Sequence, residues 1–125
     1  MLKLLLDEHI SPEVAKAIQR GSRSLVAHSL VQWKDGSLLG KEDSACLLEA
    51  AQQRLTLVTY DRRTIPPLLK VWAEEGRSHG GVIFVDEKTI APLDIGGLVR
   101  ALILLAEEAE AMDWTNQAYF LRSRR

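Results

Sequence analysis

The sequence is short of most things that would narrow its chemistry at once. One cysteine, Cys46, in 125 residues excludes an internal disulfide and fits a reducing compartment. Set among Ala45, Leu47 and Leu48, it reads as a buried, inert thiol. The three histidines give no zinc-like spacing with it, and His9, His28 and His79 read as turn, structural or exposed residues. No glycine-rich phosphate loop is present, since Gly80-Gly81 and Gly96-Gly97 lack the flanking pattern. No apolar stretch approaches a membrane span; the longest, Leu98–Ala106, is interrupted by Arg100. The N-terminal apolar run is too short and too early for a signal peptide, so the expected compartment is the cytoplasm, with no membrane partner. Charge of one sign is missing too: 16 basic residues face 17 acidic ones, for a net charge of −1. No global field therefore draws the chain to nucleic acid, and any such contact must come from a local patch.

What is present is enough for one domain over residues 1–125, since 46% hydrophobic and 26% charged residues suit a folded globular chain of this length. Leu2–Leu6 reads as a buried strand that stops at Asp7-Glu8-His9. Ser11 and Pro12 then start a helix to about Arg20, with Val14, Ala17 and Ile18 on its inner face and Gly21 at its end. Leu25–His28 is a short strand, and Val31–Gly40 a loop. A second helix is expected from near Lys41 to about Gln53, with Leu47, Leu48 and Ala51 as its buried stripe and Glu42-Asp43 in its first turn. Leu55–Tyr60 is a strand ending at Asp61, and Thr64 can cap a third helix that ends at Gly76. Val82–Val85 is the next strand, ending in Asp86-Glu87. A last helix opens near Asp94 and runs to about Met112, with apolar residues on more than one face, so it is either deeply covered or shared with a second copy in a homodimer. Tyr119–Leu121 adds a terminal strand before the basic tail Arg122–Arg125. Alternating strands and helices predict an α/β fold: a mostly parallel sheet with helices on both faces.

In such a sheet the carboxyl ends of the strands share one edge, where ligands bind, and the helix N-termini lie at the same edge. Asp7 and Glu8, Asp61, and Asp86 follow three different strands, and Glu42 and Asp43 open the second helix. Singly, each acid has an ordinary use, as a helix-dipole partner or a turn residue. Gathered at one edge they repel and raise one another's pKa unless a cation offsets them. An all-oxygen set of this kind suits Mg²⁺ or Mn²⁺, and carboxylate-held divalent ions serve where phosphate oxygens and an activated water must be positioned together. Lys41, Arg62 and Arg63 stand at the same edge, with Lys34 on the preceding loop and Arg77 before the fourth strand. Such a rim would hold a phosphodiester backbone.

LKLLLDEHISPEVAKAI, then Asp43 seven residues before Ala50-Ala51, then LTLVTYD, HGGVIFVDEKTI and the terminal AYFL resemble the PIN-like proteins grouped as domain of unknown function 5615. The resemblance covers essentially the whole chain. It implies a PIN-like three-layer α/β/α sandwich related to Mg²⁺- or Mn²⁺-dependent ribonucleases. Many relatives are toxins of toxin–antitoxin pairs, usually dimeric and inhibited by a cognate antitoxin. Carried over by position, its acids are Asp7, Asp43 and Asp61. The sequence departs from the group at one point: where many members have a second acid in a D-x-D-F pattern, this chain reads Asp61-Arg62-Arg63-Thr64. Arg63 then either weakens the metal site, shifting the role to Glu8, Glu42 or Asp86, or contacts phosphate. Three readings follow: a metal-dependent endoribonuclease acting on RNA, a catalytically degenerate PIN-like module that binds RNA or protein, and a phosphoacceptor receiver-like domain with Asp61 as acceptor.

Overall fold

The structure, a computed structural model, describes residues 2–22 and 24–122; residues 123–125 of the basic tail lie outside the described residues. Strand β1 (Leu2–Leu6) is followed by helix α1 (Pro12–Gly21), where the Ser11 hydroxyl accepts the Glu13 N–H at 3.2 Å. The chain continues through β2 (Leu25–Ser29), α2 (Asp43–Gln52), β3 (Thr56–Thr59), α3 (Ile65–Glu74), β4 (Val82–Val85), α4 (Ile95–Glu108) and β5 (Ala118–Leu121). All five strands are parallel, in the order β2-β1-β3-β4-β5.

Side chains alternate across each strand, and in β1 this splits the apolar run between two cores. Leu4 and Leu6 face α1 and α4, while Leu5 faces α2 and α3. All three are fully buried, each stabilising by about 1.5–3 kcal/mol relative to exposure. The result is the expected three-layer α/β/α sandwich. Only the inner strands are covered on both faces: β2 alternates buried and half-buried residues, and β5 buries Leu121 alone.

The connections are not all of one hand. From β3 to β4 and from β4 to β5 the chain steps across the sheet in the same direction, yet α3 and α4 lie on opposite faces. The β4–α4–β5 crossover is therefore opposite in hand to the other three, against the strong preference for a single hand. Its links are long, 86–94 and 109–117, which frees it from the strand twist that normally sets the hand. One consequence is that, among the described residues, no helix covers β5 on the α2/α3 face, where Phe120 stacks on Phe84 at 5.2 Å and stays 60% exposed.

Several expectations about the helices are corrected. The inner stripe of α1 is Val14, Ala15 and Ile18, with Ala17 half-buried. In α2 it is Cys46, Leu47 and Ala50; Leu48 is 41% exposed. Close packing on the sheet admits the small side chains of Cys46 and Ala50 and turns bulkier Leu48 outward. Helix α2 begins at Asp43, so Glu42 sits at the cap position, and its side chain bonds to no helix N–H. Helix α4 stops at Glu108 rather than Met112. Glu107, Glu108 and Glu110 crowd the negative end of the helix dipole, and a turn in which the Met112 N–H donates to the Ala109 carbonyl replaces another helical turn.

The broad apolar surface of α4 is spent within the chain. Leu98, Ala101, Leu102, Leu105 and Ala106 are buried, Val99 and Ile103 pack against the same core, and Leu104 is the residue left outward. Among the described residues no helix is long and apolar enough to cross a membrane. At the entry to β4, the Gly80-Gly81 pair answers a packing demand: a Cβ on Gly80 would stand 2.5 Å from the Leu55 carbonyl oxygen, and Gly81 has φ +98°.

Candidate functional site

Because β1 leads to β2 on one side while β3 leads to β4 on the other, the strand order reverses between β1 and β3. That crevice at the carboxyl ends is where doubly wound sheets place ligands. The Asp7 N–H closes the ladder on the Val58 carbonyl at 2.9 Å, which leaves the side chain, 9% exposed, at the mouth of the crevice. Its Oδ2 accepts the Thr59 hydroxyl at 2.6 Å and its Oδ1 the Glu8 N–H at 2.7 Å. Thr59 is fully buried, and its Oγ1 in turn accepts the Asp61 N–H at 3.0 Å.

Asp61 then organises the start of α3. Its Oδ1 accepts the N–H groups of Arg63 (2.8 Å) and Thr64 (3.0 Å). Thr64 occupies the cap position but does not cap: its hydroxyl meets Asp61 Oδ2 and, at 2.6 Å, Asp43 Oδ2 at the start of α2. Pro66 and Pro67 in the first turn offer no N–H for Thr64 to accept, which frees the threonine to bridge Asp61 and Asp43. The three acids form one chain of contacts, Asp7–Thr59–Asp61–Thr64–Asp43, joined by two hydroxyls.

A hydroxyl has one proton, so Thr64 cannot donate to both carboxylates at once. The electrostatics follow. Asp43 is pushed above the ordinary carboxylate range by burial and by the adjacent Asp61 carboxyl, with the charges of Asp61 and Asp7 adding to this and the Thr64 hydroxyl opposing it. Burial works against ionised Asp61 as well, but the Thr64 hydroxyl, the Thr64 and Arg63 N–H groups and Asp43 outweigh it and hold Asp61 low. The pair titrates as a unit in which Asp43 keeps the proton. Behind it, burial and then the charges of Asp7, Asp43 and Glu8 push the Cys46 thiol up to about 11, the inert state expected of it.

The remaining expected residues are not drawn into this chain. Glu8 is half-buried beside Asp7, and Glu42 is exposed at the head of α2. Asp86 belongs elsewhere: its Oδ1 accepts the Lys88 N–H at 2.9 Å and its Oδ2 pairs with Arg62 Nη1 at 3.5 Å. Of the basic rim, Arg63 and Lys41 are exposed, and neither side chain has an ion-pair partner among the described residues. Lys34 is paired with Glu49 at 3.2 Å. Arg77 lies at the opposite edge of the sheet, 3.9 Å over the Trp72 ring, because it enters β4 rather than leaving it. His9 is exposed. His28 packs edge-on against Trp33 at 5.0 Å, its pKa lowered by burial and then by Lys3. His79 is buried, accepts the Gly81 N–H on Nδ1 at 3.0 Å, and has its pKa lowered by burial.

Among the described residues no cationic side chain pairs with Asp7, Asp43 or Asp61. Their all-oxygen chemistry suits a hard divalent ion, but among the described residues no three His, Cys, Asp or Glu side chains form a group that could hold a metal ion as they stand. The residues whose part in the site the sequence does not give are Thr59 and Thr64. Their signal is their position, Thr59 two before and Thr64 three after Asp61, which puts one hydroxyl on the strand face shared with Asp7 and the other at the head of α3. No protein-family model, curated protein or solved structure matches the chain.

Proposed function

We propose that the chain is a metal-dependent endoribonuclease of PIN type. The supporting observation is the chain of Asp7, Asp61 and Asp43 at the β1/β3 switch point with no cation paired to it among the described residues. The Asp61 and Asp43 carboxyls meet at one hydroxyl and repel unless Asp43 keeps a proton, and a divalent ion would replace that proton with a larger counter-charge. Asp7, Asp43 and Asp61 would hold Mg²⁺ or Mn²⁺, with Glu8 and Glu42 the nearest further carboxylates along the chain. Such an ion would supply charge to offset phosphate oxygens and to lower the pKa of a water. The protein's own part is to aim Asp7 through Thr59, to release the Asp43 proton, and to turn the Thr64 hydroxyl aside. Arg63 and Lys41, without an ion-pair partner among the described residues, would grip the RNA backbone, and Arg62 would join them on leaving Asp86.

The resemblance extends this reading to a cytoplasmic toxin, a homodimer restrained by a cognate antitoxin. The dimer rests on that resemblance alone, since α4 is covered within the chain. The test is cleavage of single-stranded RNA with Mn²⁺ or Mg²⁺, lost in Asp7→Asn; equal activity in that variant removes the site from the reaction.

A second reading, a degenerate PIN-like module that binds RNA or protein, draws support from Thr64 standing between Asp43 and Asp61 and from the exposed Arg63 in place of an acid. Calorimetric titration with Mn²⁺ separates the two: binding that vanishes in Asp61→Asn favours the enzyme, and none in either protein favours the module. The strand order is also that of doubly wound phosphoacceptor domains. However, Asp86 follows β4 and Arg122 follows β5, where receivers carry Ser/Thr and Lys; labelling of Asp61 by acetyl phosphate tests that reading.

A further inference from the structure

The outer side of β2 carries a cavity of about 240 Å³ that the acid network does not use. Ser29 lies in its wall, 4% exposed, with a hydroxyl that has no hydrogen-bond partner. A buried polar group left unpaired costs stability, so a ligand atom that bonded to it would be favoured. Trp33 forms another part of the wall and is held in place: its indole Nε1–H donates to Glu49 Oε2 at 3.2 Å. The same oxygen pairs with Lys34 Nζ at 3.2 Å, which sets the ammonium 5.9 Å from the centre of the Trp33 ring. Lys34 and Asp35 both adopt left-handed backbone angles, φ 46° and 59°, and this turn folds Lys34 back over the indole.

The rest of the wall supplies hydrogen-bonding groups of both signs. Gln19 is pinned by its Nε2–H to the Ala27 carbonyl at 3.0 Å, which leaves its Oε1 as an acceptor. Gln32 brings an exposed amide. The cavity lies on the strand that neighbours the one ending at Asp7. Ser29 pairs in register with Leu6, the Leu30 N–H donates to the Leu6 carbonyl at 2.8 Å, and Asp7 is the next residue.

We infer that this cavity is a nucleobase subsite for the RNA strand whose backbone passes the acids. The inference rests on RNA being the ligand of that edge, as proposed for the acids. An indole platform, a cation beside it, and amide and hydroxyl groups for a base edge are the parts by which proteins hold an unstacked base of single-stranded RNA. The volume suits one base and not a duplex. Ser29, Gln19 and Gln32 would contact the base edge, Trp33 would stack on its face, and Lys34 would meet the adjoining phosphate.

The experiment measures binding of a fluorescein-labelled single-stranded RNA decamer to the full chain in chelator, so that no cleavage competes. Trp33→Ala is expected to raise Kd about tenfold, the size of one lost base stack, and Gln32→Ala about threefold. Gln32 is exposed, so its variant keeps the fold and stands as evidence if Trp33→Ala fails to fold. Unchanged Kd in Gln32→Ala together with Lys34→Ala overturns the subsite, as does absence of binding by the parent chain. The two proposals fail separately. Asp7-dependent cleavage with Kd unmoved by the pocket variants leaves the nuclease and removes the subsite. Pocket-dependent binding with no cleavage leaves the subsite and removes the nuclease.

Discussion

Asp61 and Asp86 make an internal comparison. Each follows a buried four-residue parallel strand, at the same edge of the same sheet, and each accepts the N–H two residues on: Arg63 at 2.8 Å for Asp61, Lys88 at 2.9 Å for Asp86. Locally they are the same motif. Their second oxygens differ: that of Asp86 meets an exposed arginine, and that of Asp61 meets Thr64 and, beyond it, Asp43. The cause is topology. Asp61 leaves β3 at the point where the strand order reverses and α2 delivers Asp43, whereas β4 has already left that crevice. The same residue in the same turn is a neutralised surface group in one place and part of an acid cluster in the other.

The largest expected effect tests whether this difference is functional. With Mn²⁺ and single-stranded RNA, Asp7→Asn or Asp61→Asn should lower kcat/KM by at least about a hundredfold, the scale of a group acting directly in proton transfer or metal binding. Asp86→Asn should stay within about threefold. Equal losses at Asp61 and Asp86 would erase the distinction between them.

The sequence carries part of this difference between the two aspartates and leaves part of it unwritten. Strand ends are written in the chain as apolar runs that stop at acids, and parallel topology gathers them, so Asp7, Asp61 and Asp43 were readable. Which acid drops out was not: nothing in Val85-Asp86 says that Arg62, twenty-four residues earlier, stands across from it at 3.5 Å. Nor was the work of the threonines. In LTLVTYD the hydroxyl of Thr59 reads as a β-former, and Thr64 before Ile65-Pro66-Pro67 reads as a cap. Each hydroxyl also binds a distant acid, Asp7 for Thr59 and Asp43 for Thr64, and those distant partners leave no local signature. The phase of α2 was missed because a hydrophobicity stripe favours Leu48 over Ala50, while packing against the sheet favours the smaller residue.

Next in size is the hydroxyl that separates the two aspartates. Thr59→Val keeps the shape of a fully buried side chain and removes a donor to a buried carboxylate. Hydrogen bonds to charged groups contribute about 1.5–3 kcal/mol, so the urea midpoint should fall by that amount divided by the m-value. Asp86→Asn, which loses an exposed pair, should shift it little. A Thr59→Val midpoint equal to that of the parent would show that Asp7 draws its hydrogen bond from water.

The titration of Asp43 gives a more local readout. Asp61 is held low, so its contribution to stability is full above about pH 3.9 and lost as pH falls through its lower folded value. Asp43 is raised, so its contribution is full below about pH 3.9 and lost as pH rises through its higher folded value. Followed by carboxyl NMR, the Asp43 midpoint should move down toward the ordinary range in Asp61→Asn, which removes a neighbouring charge. It should stay in place in Asp86→Asn. Movement in both variants would mean that Asp43 senses the whole edge rather than its own partner.

The smallest effect concerns the cation that marks the difference. The Arg62–Asp86 pair is 3.5 Å long, with side chains 50% and 34% exposed, and pairs of this kind contribute about 0–1 kcal/mol. Arg62→Ala should therefore leave the urea midpoint nearly unchanged, and 0.5 M salt should cancel what remains. Its use in the comparison lies in what it does to RNA. If Asp86 serves only to hold Arg62 in reserve beside the acids, Arg62→Ala should weaken RNA binding a few-fold and flatten its salt dependence, while Asp86→Asn, which frees the arginine, should tighten it. Opposite signs from the two halves of one ion pair cannot come from lost stability, since both variants lose the same contact. Equal weakening by both would make the pair a structural strut and leave Arg63 and Lys41 as the grip on the backbone.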